Sequence, residues 1–269
     1  MTSANYELSA HLERIYFSGD VSMPGQSGHH LALIDVGQVS GLAQRLQRLP
    51  LPASWCLYED TFAHNAKALS PLLIELSPEF GQALTTVGQL DELCSHLPIL
   101  SVIHTPWPPA QWLRHLQTLL RIEMDGVEYL WRLADTQMLQ ATASVLNEEQ
   151  QGMVFGPCHA WWIVSADGSL KNLACPTAPY RMPSQTLRLD AHQERRLLQA
   201  TAPHALASQL RSMDMDFQTK LSHAEQSRFA MDCIAKAREE FIDEDSELVS
   251  WAWSAWQKAQ IDIPQAPSH

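Results

Sequence analysis

The run from Asp125 to Trp162 constrains this chain more than any other segment. It reads DGVEYLWRLADTQML, continues through a helical stretch and closes on FGPCHAWW. Both central residues of the tightest hairpin turn need positive φ, and Asp125-Gly126 supplies them. The flanking stretches Leu120–Met124 and Val127–Leu133 read as paired strands. Val127, Tyr129, Trp131 and Leu133 are expected on one face, with Glu128, Leu130 and Arg132 on the other. Asp135 can cap a helix carrying Met138, Leu139, Thr142 and Leu146. A second hairpin is predicted at Trp161–Val164 and Leu170–Leu173, around Asp167-Gly168. Arg132 ends a strand and Asp135 opens a helix, so the two can form a charge-assisted bond. That pair is expected either as a structural clasp at the strand–helix corner or as a polar interface anchor.

Upstream, apolar runs at Leu31–Asp35, Trp55–Tyr58, Leu72–Leu76 and Ile99–His104 read as strands. Helices are predicted with Leu42, Leu46 and Leu49 inward, over Leu84–Leu97, and over Pro109–Leu119, where Pro suits the first turn. Strands and helices alternate early and hairpins follow. This pattern predicts an α/β fold, a mixed sheet flanked by helices. Residues 1–29 read as a polar lead-in and 30–175 as the α/β domain. Three prolines within Ala174–Pro183 mark a linker.

Beyond it, residues 184–260 read as an all-helical C-terminal lobe, and 261–269 as a loose tail. Ala191–Thr201 and Pro203–Met213 are expected as separate helices. Ser222-His-Ala-Glu225 is a capping box opening a helix with Phe229, Ala230, Cys233, Ile234, Ala237 and Phe241 inward. In Ser246–Ala259 the apolar residues cover about 200° of the wheel, against the roughly 100° stripe of a surface helix. Phe241, Val249, Trp253 and Trp256 are therefore candidate partner-binding residues, tryptophan being favoured at interface hot spots.

Chemistry has little purchase in this chain. A hydrolase elbow has its nearest match at Gly25-Gln-Ser27-Gly28-His29, with the wrong spacing. His29-His30 has no third ligand at metal-site spacing and reads as a strand-edge polar pair. Glu59 and Asp60 could do acid–base work, but a turn with Asp60 or Thr61 capping explains them as well. The five cysteines are scattered without a CxxC, so neither a disulfide framework nor a zinc site follows. No phosphate loop is present. No catalytic residue, metal or cofactor is expected. A net charge of −12 argues against nucleic acid and anionic membrane as partners, and favours a basic protein surface. The N-terminus lacks the pattern of a signal peptide, and a cytoplasmic location is expected.

Several segments carry a resemblance. They are LALIDVG at Leu31–Gly37, LYEDT at Leu57–Thr61, LSPLLIEL at Leu69–Leu76, LRHLQTLLRIEMDGVEYLWRLADTQML at Leu113–Leu139 and FGPCHAWW at Phe155–Trp162. In this order the chain resembles the type VI secretion effector-chaperone (adaptor) family, described as a bacterial domain of unknown function. It departs from that family at Asp60, where relatives carry Gly, and at Asp135-Thr136-Gln137, where they carry Asp-Pro-Arg. The resemblance implies a non-enzymatic chaperone that binds a cognate secreted effector and helps load it on the VgrG spike protein. The alternatives are an immunity-type toxin-binding protein and a hydrolase using Glu59 or Asp60.

Overall fold

The apolar runs near residues 31 and 100 become the two central strands of a six-stranded sheet. The computed structural model describes residues 28–39, 41–94, 97–156, 158–166, 169–173, 186–242 and 244–261. Its strands are β1 (His29–Ile34), β2 (Ser54–Cys56), β3 (Leu72–Glu75), β4 (Leu100–Thr105), β5 (Arg121–Met124), β6 (Val127–Leu130), β7 (Ala160–Val164), β8 (Leu170–Leu173) and β9 (Leu187–Arg188). The large sheet runs β2-β3-β1-β4-β7-β8, with every neighbouring pair antiparallel. The smaller sheet runs β6-β5-β9 and is mixed, since β5 pairs antiparallel with β6 and parallel with β9.

The helices are α1 (Leu42–Leu46), α2 (Phe80–Cys94), α3 (Pro109–Thr118), α4 (Thr136–Ala143), α5 (Glu148–Phe155), α6 (Ala191–Met213), α7 (Met215–Lys220), α8 (His223–Glu239) and α9 (Asp245–Ile261). The α/β class with a helical C-terminal region is the one expected. The main sheet, though, is wholly antiparallel, and its single parallel neighbour pair lies in the small one.

Both faces of the large sheet are covered, which explains why β1 and β4 read as continuous apolar runs rather than alternating ones. Leu31, Leu33, Ile103, Trp161 and Ile163 point into a core shared with Trp112 and Leu116 of α3 and Leu139 of α4. Ala32, Ile34, Val102 and Val164 point the other way, onto Leu42 and Leu46 of α1 and onto Ala83, Val87, Leu90 and Cys94 of α2. Those four α2 residues recur at helical spacing and form its buried stripe. Pro109 occupies the first turn of α3. Asn147 and Gln150 build a capping box that opens α5 as a separate helix.

The Asp125-Gly126 turn forms as expected, with φ of 48° and 73° and Met124 opposite Val127. The face assignment beyond it is corrected. β6 ends at Leu130, so Trp131 and Leu133 turn into the core while Val127 and Tyr129 stay half exposed. His29-His30 is also not at a sheet edge, because β1 is an interior strand. The turn at residues 167–168 and the proline-rich stretch at 174–183 lie outside the described residues.

The chain divides into two compact units, Met1–Leu198 and Gln199–His269, so the division falls inside α6 rather than at the prolines. The first turns of α6 belong to the first unit, where buried Gln193 donates to Val145 O at 2.8 Å and Arg196 to Ser144 O at 2.9 Å. Two separate helices were predicted here, yet α6 is continuous through Pro203. Proline removes one ladder bond, and the turns beyond it bury Leu206, Ala207 and Leu210 in the helical core. That core is completed by Phe217 of α7, by Ala230, Cys233 and Ile234 of α8, and by Ala252 and Trp256 of α9. Ser222 and Glu225 cap α8 reciprocally.

Candidate interaction site

Residues 57–71 connect β2 to β3 and are fastened at their base. Leu57 N donates to Pro71 O at 2.9 Å, and Tyr58 N to Ser70 Oγ at 2.9 Å. Gln117 of α3 donates to Glu59 O at 2.9 Å. Asp60 takes φ of 56°, a left-handed conformation that glycine adopts without strain. Glu59 is exposed and paired with Lys67 at 2.6 Å. An exposed turn offers none of the enclosure that the hydrolase alternative needs at Glu59 and Asp60.

The outer side of this loop carries Phe62 and Leu69, and β6 carries Val127, Tyr129 and Leu130. These are five of the ten exposed large apolar side chains among the described residues. Arg121 joins the two segments. Its guanidinium lies 4.3 Å from the Phe62 ring centre, it pairs with Glu128 at 2.8 Å, and it stands opposite Leu130 in the hairpin. Phe62 and Leu130 thus flank Arg121 on one face of the hairpin, and Val127 and Tyr129 lie on the other, so exposed apolar side chains border β6 on both faces, as at an interaction site.

Beside the patch sits the clasp. Arg132 and Asp135 form the expected ion pair, at 3.8 Å. The shorter bond, 2.9 Å, runs from Arg132 to Asp35 at the end of β1, 97 residues earlier. Asp35 also accepts from Gly37 N and Gln38 Nε2, and Asp135 accepts from Gln137 N and Met138 N as the cap of α4. Both carboxylates are buried. Burial works against the Arg132 charge, but Asp35 and Asp135 outweigh it and raise its pKa. Burial, then Asp35, pushes the Tyr58 phenol up. Next to this corner the Thr136 hydroxyl lies 2.5 Å from Pro98 O and 2.7 Å from Val164 O. A proline at this position could not supply that donor. The geometry makes the cluster a clasp between β1 and the β6–α4 corner.

Three histidines line one end of the large sheet. The rings of His30 and His104 stack at 4.5 Å, and His159 lies 4.9 Å from His104. Burial first, and neighbouring histidines second, lower His30 and His104 to about 4. Among the described residues no group of three or more His, Cys, Asp or Glu is placed to hold a metal ion. Burial pushes Cys94 up to about 12 and Cys233 to about 11, so neither is a reactive thiolate.

In the helical unit the predicted binding residues separate. Trp256 is corrected: it is buried, packs edge-on against Phe217 and Phe229, and donates from Nε1 to Asp214 at 2.6 Å. It is core, not contact surface. Val249 and Trp253 are half-buried against that core. Phe241 does not point inward along α8. It follows the helix end with φ of 59° and is 89% exposed. Ile242 N bonds to Ala237 O and Phe241 N to Arg238 O, which is a Schellman stop with phenylalanine where glycine is usual. A groove of about 870 Å³ between α8 and α9 is lined by Lys236, Glu240, Trp251 and Lys258 among others, and Trp251 donates to Glu240 at 3.0 Å.

Residues 30–153 match the family model described as Domain of unknown function (DUF4123). This segment is a DUF4123 domain. No curated protein and no solved structure matches the chain. The loop–hairpin patch and the Asp35–Arg132–Asp135 clasp lie wholly within the DUF4123 domain, whereas Phe241 and the α9 tryptophans lie outside it. No helix among the described residues is long and apolar enough to cross a membrane.

The patch was missed in the sequence because each of its residues looks ordinary alone. The readable signal was β6 itself, where apolar residues occupy both alternating positions after a two-residue turn.

Proposed function

We propose that this protein is a non-enzymatic adaptor that binds a cognate type VI secretion effector and helps load it on the VgrG spike. One observation carries the proposal. The DUF4123 match covers residues 30–153, the stretch where most of the segments resembling the effector-chaperone family occur in order. The clustered apolar patch supports a binding role, since it gives the DUF4123 domain a surface suited to a protein partner. The acidic balance of the chain favours a partner segment of opposite charge.

The test is co-purification of the full chain with the effector encoded beside its gene and with VgrG, together with a secretion assay in a deletion strain. The proposal predicts a stable effector complex and loss of effector secretion on deletion. A chain that captures neither partner contradicts it. A chain that protects cells from the toxin yet is dispensable for secretion is an immunity protein instead.

A further inference from the structure

We infer that the outer edge of β6 is a strand-addition site for a cationic, extended segment of a partner protein. The inference rests on the proposed binding role and names the surface and the chemistry it selects.

β6 is the last strand of its sheet. In antiparallel pairing, alternate residues turn their N–H and C=O groups toward the neighbour and away from it. The phase is set by Trp131 N, which donates to Leu120 O, and by the two-residue turn. Val127 and Tyr129 therefore bond inward to β5, while Glu128 and Leu130 present N–H and C=O outward. Neither meets a backbone partner among the described residues. The other sheet edges are blunted. β2 has only three residues and follows Pro52, β8 carries Lys171, and β9 has only two residues, all common devices against edge pairing. All four residues of β6 are exposed, and three of them are apolar. An added strand would find Leu130 and Phe62 on one face and Val127 and Tyr129 on the other.

Charge selects the occupant. Residues 57–71 and 121–135 carry six carboxylates and three cations. Each cation is already paired: Lys67 with Glu59, Arg121 with Glu128, Arg132 with Asp35 and Asp135; Glu123 is paired with Arg188 of β9. Asp60 and the hairpin residue Asp125 remain exposed with no ion pair among the described residues. The apolar edge thus lies in a field that attracts lysine and arginine and repels an acidic strand.

The test uses the full chain and two short synthetic peptides, one alternating valine and lysine, the other valine and glutamate. Binding is read by fluorescence anisotropy and the docking site by amide hydrogen exchange. The valine–lysine peptide should bind and slow exchange at Glu128 and Leu130, and the glutamate peptide should not. Glu128→Pro removes an outward N–H and should weaken binding at least about tenfold, while Glu128→Gln stays within about threefold. Should Glu128→Pro not fold, the double variant Phe62→Ser, Leu130→Ser should give the same loss through side-chain contact. Equal binding of both peptides, binding of neither, or protection elsewhere overturns the inference. If wild type and Glu128→Pro capture the neighbouring effector alike, the edge site is wrong and the adaptor reading stands. If neither captures it, the adaptor reading is wrong, and the peptide data alone decide the edge.

Discussion

The final helix was expected to face a partner and the β6 hairpin was not, yet it is the hairpin whose apolar side chains stay exposed. In α9 a broad apolar arc is spent on packing, with Trp256 enclosed by Phe217, Phe229 and Asp214. In β6 a modest Val-Glu-Tyr-Leu strand keeps all its side chains half exposed. The width of an apolar arc measures how much surface a helix has to hide. Exposure is decided by what tertiary structure puts on the other side, and the edge of a sheet has nothing there. Apolar residues that stay exposed at such an edge are the better guide to a partner.

The contrast is open to test, beginning with the largest effect. Trp256→Ala should destabilise the helical unit by about 3–5 kcal/mol, the usual cost of truncating a buried tryptophan. Urea unfolding followed by far-ultraviolet dichroism reads this. A cost below about 1 kcal/mol would return Trp256 to the surface.

Acid should also separate the units. His30, His104 and His115 of the first unit are lowered to about 4 chiefly by burial. His223 is the helical unit's counterpart, lowered to about 4 by burial and then by Arg211 and His204. A histidine whose pKa is lower folded than unfolded takes up its proton more readily unfolded. Stability is therefore complete above about pH 6.5, the ordinary histidine value, and falls as pH drops toward 4. With three such groups against one, the first unit should lose more melting temperature over that window. Equal losses in the two units would contradict the assignment.

Arg132→Ala should cost about 2 kcal/mol, because it strands Asp35 and Asp135. The half-exposed Arg132 places the cost below that of a fully buried pair. A cost no larger than that of a surface ion pair, about 0.5 kcal/mol, would show that the clasp contributes nothing. Phe241→Gly should raise stability by up to about 1 kcal/mol, since glycine suits the left-handed stop. A loss of stability would mean that Phe241 packs against something.

The strands buried on both faces were legible because Leu31–Ile34 of β1 and Val102–Ile103 of β4 bury successive apolar side chains on alternating faces. The Asp125-Gly126 turn, Pro109 at a helix start and the Ser222 capping box were legible because each is local chemistry. What escaped was set by distance in sequence. The shorter ion pair of Arg132 is with Asp35, added to the nearby Asp135, and no spacing rule links residues 97 positions apart. β9 is two residues long and exists through its pairing with β5. The split of α6 at Pro203 followed a local rule that burial of the flanking turns overrides. Phe241 continued the helical period but stands in the stop, where the period no longer applies.

The most direct test of the central claim is capture of the proposed effector by three full-length proteins. These are wild type, the patch variant Phe62→Ser, Leu130→Ser, and the helical variant Trp253→Ser. Both patch residues are exposed, so that variant should melt within about 0.5 kcal/mol of wild type. The account predicts that the patch variant loses the effector and the Trp253 variant keeps it. A folded patch variant that still captures the effector, beside a Trp253 variant that does not, would place recognition in the helical unit and contradict the account.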